Sequence, residues 1–177
     1  MKVLKNLKAL SVAAAVSVST MSGVAQADML DRSFCVWDPV GANGPLFNVM
    51  KSAKPSAMKW GINLELKAYT DEKIAAEDFR AGQCDSVLLT GTRAREFNKF
   101  TGSLEAMGAI PSQEEMKMIL QTLTQPKAAK LMKSGEYEVA GILPAGSIYL
   151  YIRDRNIDTV EELQGKKVAT LDYDQAS

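Results

Sequence analysis

The side chains that could do chemistry in this chain restrict its function more by type than by number. It holds no histidine, which removes histidine-based nucleophile triads, most zinc sites and the commonest general base. Its two cysteines, Cys35 and Cys84, are far apart and form no C-x-x-C pair, so a redox dithiol is not expected. Asp38, Asp85, Asp172 and Asp174 could meet near one edge of a sheet, which keeps carboxylate-only catalysis as a minor alternative to a non-enzymatic role. The remaining chemistry is recognition. Trp37 could stack on a ligand and Asp38 could accept from an amine or hydroxyl; equally, Trp37 could be core and Asp38 a turn residue before Pro39. Gly91 and Thr92 could offer backbone N–H groups to an anion at a helix start, with Arg93 either adding charge or lying on a solvated face. Tyr149 and Tyr151 share one face of an expected strand, and Asp172 and Tyr173 follow the last one, so each could line a cleft. The nine methionines are spread at helical core spacings, which suits packing rather than a copper site. No metal or cofactor is expected.

These residues need elements to position them, and the stretch 70–92 organises the rest. Ile74, Ala75 and Phe79 fall on one face of a helical period, while Asp71, Glu72, Glu77 and Arg80 supply the wet face. Gly82 sits where a helix stops in a left-handed residue. Val87-Leu88-Leu89 is an unbroken apolar run, as in a strand covered on both faces of a parallel sheet. It ends at Thr90-Gly91-Thr92, which opens another helix. In an open α/β sheet, ligands collect beyond the carboxyl ends of the strands, so this turn is a binding edge or an ordinary βα connection. Before it, Ser33 to Trp37 reads as a strand. Asn43 can cap the next helix, with Pro45 in its first turn and Leu46, Phe47, Val49 and Met50 as its inner face; Pro55 is expected to interrupt it. Ile62 to Tyr69 alternates strictly, as in a half-exposed strand near a sheet edge. The first ninety residues therefore read β-α-β-α-β, a parallel sheet with right-handed crossovers.

Composition bounds the class. Three lysines before residue 9, a small apolar run and Ala25-Gln26-Ala27 form a secretory signal peptide over residues 1–27, too short in its apolar core to span a membrane. Without Lys2, Lys5 and Lys8, the 21 basic and 21 acidic residues become 18 against 21, an acidic balance that argues against a nucleic-acid partner. A periplasmic protein follows, with enough chain for one domain. In that oxidising compartment Cys35 and Cys84, each at the start of an expected core strand, would be joined as a disulfide, the alternative being two buried thiols.

After Thr92, a helix with Arg93, Arg95 and Phe97 is expected to reach about Phe100. Ser112 with Glu115 makes a capping box ahead of Met116, Ile119, Leu120 and Leu123 on one face. Strands are expected over 137–143 and 147–152, a short helix capped by Asp158 and Glu161, and a last strand over 167–171. That strand has little sheet to join, so the chain reads as a truncated frame or a fragment.

The order of elements, the Ala81-Gly82-Gln83-Cys84-Asp85 junction and above all the segment from Ile157 to Val168, with Leu163-Gln164-Gly165-Lys166-Lys167, resemble the periplasmic solute-binding proteins, closest to the TRAP-transporter type. The resemblance spans residues 33–171, about half a family member. It implies a three-layer α/β lobe with a mainly parallel sheet over residues 28–146, the first of two lobes. Residues 147–177 would be a crossover strand and the start of a second lobe that is largely missing. A small-molecule ligand would be held between the lobes and passed to a membrane transporter. Family members of the TRAP type hold a substrate carboxylate with an arginine just after the Gly-Lys-Lys stretch, where this chain has Ala169-Thr170-Leu171. Similar chains also carry the label of an RND-type efflux component linked to aminoglycoside resistance, which implies efflux subunits as partners. A pump of that kind needs many spans with ionisable residues inside them, so the label fits at most an accessory role.

Overall fold

The structure, a computed structural model, describes residues 29–146 and 149–169. Strand β1 (Leu30–Trp37) is followed by helix α1 (Pro45–Lys59), strand β2 (Ile62–Tyr69), helix α2 (Glu72–Arg80) and strand β3 (Ser86–Leu88). All three strands are parallel, in the order β2-β1-β3. Leu30 to Trp37 pair in register with Ile62 to Tyr69, and Phe34 to Val36 with Ser86 to Leu88. The chain moves to one side of β1 through α1 and to the other through α2, so right-handed crossovers place the helices on opposite faces. This is an α/β lobe with a small parallel sheet, and β2 lies at an edge as its alternation suggests.

Cys35 and Val36 of the central strand are fully buried, joined in the core by Phe47 of α1 and by Ala75 and Ala76 of α2. Cys35 and Cys84 form a disulfide, with Cα atoms 5.9 Å apart. Beside it, Asp85 Oδ2 accepts from the Ser33 backbone N–H and hydroxyl at 2.7 and 2.9 Å, tying the start of β3 to β1. Gly82 ends α2 with φ +74°, the left-handed turn its position predicts.

Helix α3 (Gly91–Ala94) is short, and α4 (Lys99–Leu104) follows a turn capped by Asn98, whose Oδ1 accepts from the Phe100 N–H. The expected single helix to Phe100 is thus two, because Asn98 starts a new one and spends its Nδ2 on the carbonyl of Leu131. Helix α5 (Gln113–Leu123) begins at the expected capping box, Ser112 Oγ accepting from the Glu115 N–H. Helix α6 (Ala129–Met132) leads into a small hairpin of β4 (Lys133–Ser134) and β5 (Tyr137–Glu138). Phe79, Phe97 and Tyr137 pack ring on ring at 4.9 to 5.7 Å, fastening the hairpin to α2.

Several expectations give way. Helix α1 runs through Pro55, which is exposed, so water can meet the carbonyl that its missing N–H leaves. Val49 is exposed rather than internal, and Ile74 likewise, whereas Glu72 from the expected wet face is buried. Strand over 137–143 stops at Glu138, and residues 149–152 and 167–169 join no ladder; β-rich composition makes a strand only where a neighbour supplies the hydrogen bonds. Asp158 does not cap a helix: Glu162 instead accepts from the N–H groups of Asp158 and Thr159 over a single turn, Glu161–Leu163. The expected signal peptide over residues 1–27 and the residues from Thr170 onward lie outside the described residues. Among those described, no helix is long and apolar enough to cross a membrane.

Candidate functional site

Each strand of the parallel sheet ends on the same side, and at each end a carboxylate accepts from backbone N–H groups. At the end of β1, Asp38 is fully buried. Its Oδ1 accepts from the Val40 N–H at 2.9 Å, and its Oδ2 from the N–H groups of Leu46 and Phe47 at 2.8 and 3.1 Å. The last two belong to the first turn of α1, where N–H groups have no partner within the helix. Asp38 therefore does the work expected of Asn43. The residue at the cap position is Gly44, which has no side chain to offer. Burial pushes the Asp38 carboxyl up, but the N–H groups of Val40, Phe47 and Leu46 together outweigh it and hold the group below its ordinary value. A Cβ on Gly44 would lie 1.8 to 2.1 Å from the carboxyl atoms of Asp38, so glycine is required by close approach rather than by φ.

At the end of β2, Tyr69 donates its hydroxyl to Asp78 Oδ2 at 2.7 Å. Burial first, then that carboxylate, raises the phenol above its usual value. Asp71 caps α2, its Oδ1 accepting from the N–H groups of Lys73 and Ile74. The next residue, Glu72, reaches across to β3, and its Oε1 accepts from the Thr90 N–H at 2.6 Å.

At the end of β3, Thr90 caps α3 through its hydroxyl. The N–H groups of Gly91 and Thr92, the expected anion donors, are both taken by Glu105 from the end of α4, at 2.7 and 2.6 Å. The Thr92 hydroxyl adds a third bond to Glu105 at 2.7 Å. Gly91 again has no room for a side chain, since a Cβ would lie 2.8 Å from the Thr101 carbonyl oxygen. Arg93 is half-buried on the same turn.

The sheet edge thus gathers Trp37, Asp38, Gly91, Thr92 and Arg93 on one side of the lobe, as the parallel topology predicts. Trp37 is half-buried and pairs in register with Tyr69. Tyr149 and Tyr151 are 71 % and 91 % exposed and lie on a segment without sheet partners. Asp172 and Tyr173 lie outside the described residues. Sequence reasoning missed Glu72 and Glu105. An acid directly after the Asp71 cap is the local signal for Glu72; nothing local marks Glu105, whose role depends on how α4 folds back onto α3. An apolar cleft of about 390 Å³ lies elsewhere, between α4 and α5, and is lined by Phe100, Leu104, Ile110, Met118 and Leu123 among others.

An α/β lobe with a short parallel sheet and its loop-bearing carboxyl edge is the architecture on which small-molecule recognition is commonly built. The chain belongs to the family described as solute-binding protein AdeT 1/2, whose model matches residues 50–177. It is 43 % identical over 141 residues to the "Probable solute-binding protein AdeT1" of Acinetobacter baumannii, a match that covers 80 % of this chain and 46 % of that protein. It is also 29 % identical over 70 residues to the "Probable solute-binding protein AdeT2" of the same organism, covering 40 % of this chain and 29 % of that one. The chain spans about half the length of the first of these relatives. No solved structure matches it.

Proposed function

We propose that this chain is a periplasmic solute-binding protein of the TRAP-transporter-like kind, which captures a small molecule without transforming it and passes it to a membrane transporter. The observation that carries the reading is membership of a solute-binding family across residues 50–177. The arrangement of the edge supports it. The described residues would form the first of two lobes, and the ligand would lie against the carboxyl edge of the sheet. Trp37 supplies a flat face there, and Gly91, Thr92 and Arg93 form the adjoining turn. Asp38 acts from beneath, since its oxygens already hold Val40 and the first turn of α1. Tyr149, Tyr151, Asp172 and Tyr173 would approach from the crossover side, where the exposure of both described tyrosines leaves their rings available.

The test is native mass spectrometry of the protein purified from the periplasm without refolding. A population heavier by a few hundred daltons, which loses that mass on denaturation, is the expected result. A single species at the mass of the polypeptide, unchanged when periplasmic extract is added back, would refute the reading.

A further inference from the structure

The basic residues of the chain are not spread evenly. Once Lys2, Lys5 and Lys8 are set aside the balance is acidic, yet the stretch between Glu115 and Glu136 holds Lys117, Lys127, Lys130 and Lys133 and no acid. The fold lays the end of this stretch against the turn from Arg95 to Phe100, and a cleft of about 330 Å³ opens between them. Arg95, Lys99, Lys130 and Lys133 all line it. The one carboxylate in the lining, Glu96, is bonded to Arg80. Lys133 meets Glu138 at 3.6 Å with both side chains exposed, a contact that solvent screens. Arg95, Lys99 and Lys130 have no ion pair among the described residues. The walls are fixed to each other by the buried Asn98, whose Nδ2 donates to the Leu131 carbonyl at 2.8 Å while its Oδ1 accepts from the Phe100 N–H at 3.0 Å. Arg95 is half-buried, its stem packed so closely on α4 that a Cβ on Gly102 would lie 3.1 Å from its Cδ.

Like charges gathered round one concavity repel one another, and the same gathering concentrates counter-ions within it. An anion of several charges relieves the repulsion. A guanidinium offers a planar fork and ammonium groups add point charges, a combination suited to phosphate oxygens. The cleft is also of a size that small ligands occupy. We propose that it is a binding site for a soluble, phosphate-bearing small molecule, with Arg95 as the fixed contact and Lys99, Lys130 and Lys133 closing on the phosphate from the two walls. A flat bilayer surface would reach the exposed lysines but not the half-buried Arg95, which favours a free molecule over a lipid headgroup. The site shares no residue with the sheet edge at Trp37, Asp38, Gly91, Thr92 and Arg93, so it stands or falls apart from the solute-binding reading.

The experiment is calorimetric titration of the full chain, dialysed free of phosphate, with pyrophosphate as the probe, alongside co-sedimentation with phosphatidylglycerol vesicles. Saturable pyrophosphate binding is expected, weakened about tenfold by Lys99→Gln or Lys130→Gln and weakened by added salt. Lys59→Gln, at the exposed end of α1, removes the same charge elsewhere and should leave binding unchanged. Arg95→Gln should weaken binding further; if that packed position does not tolerate the change, the two exposed lysines decide. Pyrophosphate binding that is indifferent to Lys99→Gln and Lys130→Gln, or that falls equally in Lys59→Gln, overturns the proposal. Vesicle binding without pyrophosphate binding overturns it too, by assigning the lysines to a membrane surface, and so does the absence of both.

Discussion

Replacing Gly44 with alanine tests the most specific contact in the lobe. The added Cβ would lie 1.8 Å from Asp38 Oδ1 and 2.1 Å from Oδ2, so the carboxylate must leave its seat. The N–H groups of Leu46 and Phe47 then lose the acceptor that caps α1, and that of Val40 loses its own. Losing a cap costs about 1 kcal/mol. Leaving a further part-buried donor without a partner adds about 1–3 kcal/mol. The expected loss is therefore about 3 kcal/mol, or a fall in Tm of roughly 6–12 °C at the 2–4 °C per kcal/mol usual for chains of this size. Gly61→Ala is the control. Gly61 has φ +74° with open space around its Cβ position, so only backbone strain is felt, about 1 kcal/mol. The assay is urea denaturation followed by circular dichroism, with Asp38→Ala and the double variant completing a cycle. Once Asp38 is gone, Gly44→Ala has nothing to displace and should add almost nothing. A Gly44→Ala loss no larger than that of Gly61→Ala, or additive losses in the cycle, would refute the reasoning.

Other outcomes follow from the same structure. Reducing the Cys35–Cys84 disulfide, which spans 49 residues, should lower stability by about 4 kcal/mol on the chain-entropy account, read as a shift of the urea midpoint with dithiothreitol. Asp85 is held below its ordinary value by the Ser33 backbone N–H and hydroxyl and by Arg32, and Asp38 is depressed as well. Their stabilisation is thus complete above the unfolded carboxyl value near pH 4 and is lost as pH falls through the lower folded values. Midpoints measured from pH 6 to pH 2 should fall below about pH 4, less steeply in Asp85→Asn, and an unchanged profile in that variant would contradict the assignment. Phe97→Ala removes a ring packed on both Phe79 and Tyr137 and should cost about 3–4 kcal/mol while loosening β4–β5, visible as faster amide exchange at Val139, whose N–H bonds the Met132 carbonyl.

The order of elements up to β3 was legible because local signals agreed with the tertiary answer, although the apolar run 87–89, read as a strand covered on both faces, is the half-buried edge strand Ser86–Leu88. Gly61 and Gly82 both adopt the left-handed turn that stops an element, and the alternation of β2 matches its place at an edge. Side-chain assignments failed where a helix begins. A helical wheel places Glu72 outside, but a first-turn residue points back toward the sheet edge, and there the Thr90 N–H claims it. Asn43 looked like the cap of α1 on type and spacing, yet Asp38 lies across a tight loop and reaches two of the same N–H groups with a full charge. The segments after Glu138 and around Tyr149 carry strand-forming residues, and sequence cannot say that among the described residues no neighbour pairs with them.

The use of acids at all three strand ends changes how such an edge can recognise anything. In many α/β proteins the free N–H groups of a strand-to-helix turn supply the ligand contact directly. Here Asp38, Asp71, Glu72 and Glu105 have taken those donors, so the backbone is rigidly held and has little left to give. Under the proposed solute-binding reading, recognition at this edge would rest on side chains such as Trp37 rather than on those N–H groups. Neutralising Glu72 and Glu105 together should free the Thr90, Gly91 and Thr92 N–H groups and leave them open to a ligand carboxylate. Succinate titration of the Glu72→Gln, Glu105→Ala double variant reads this directly: binding gained relative to the parent supports the account, and no gain would mean that the carboxylates hold the turn together without setting what it accepts.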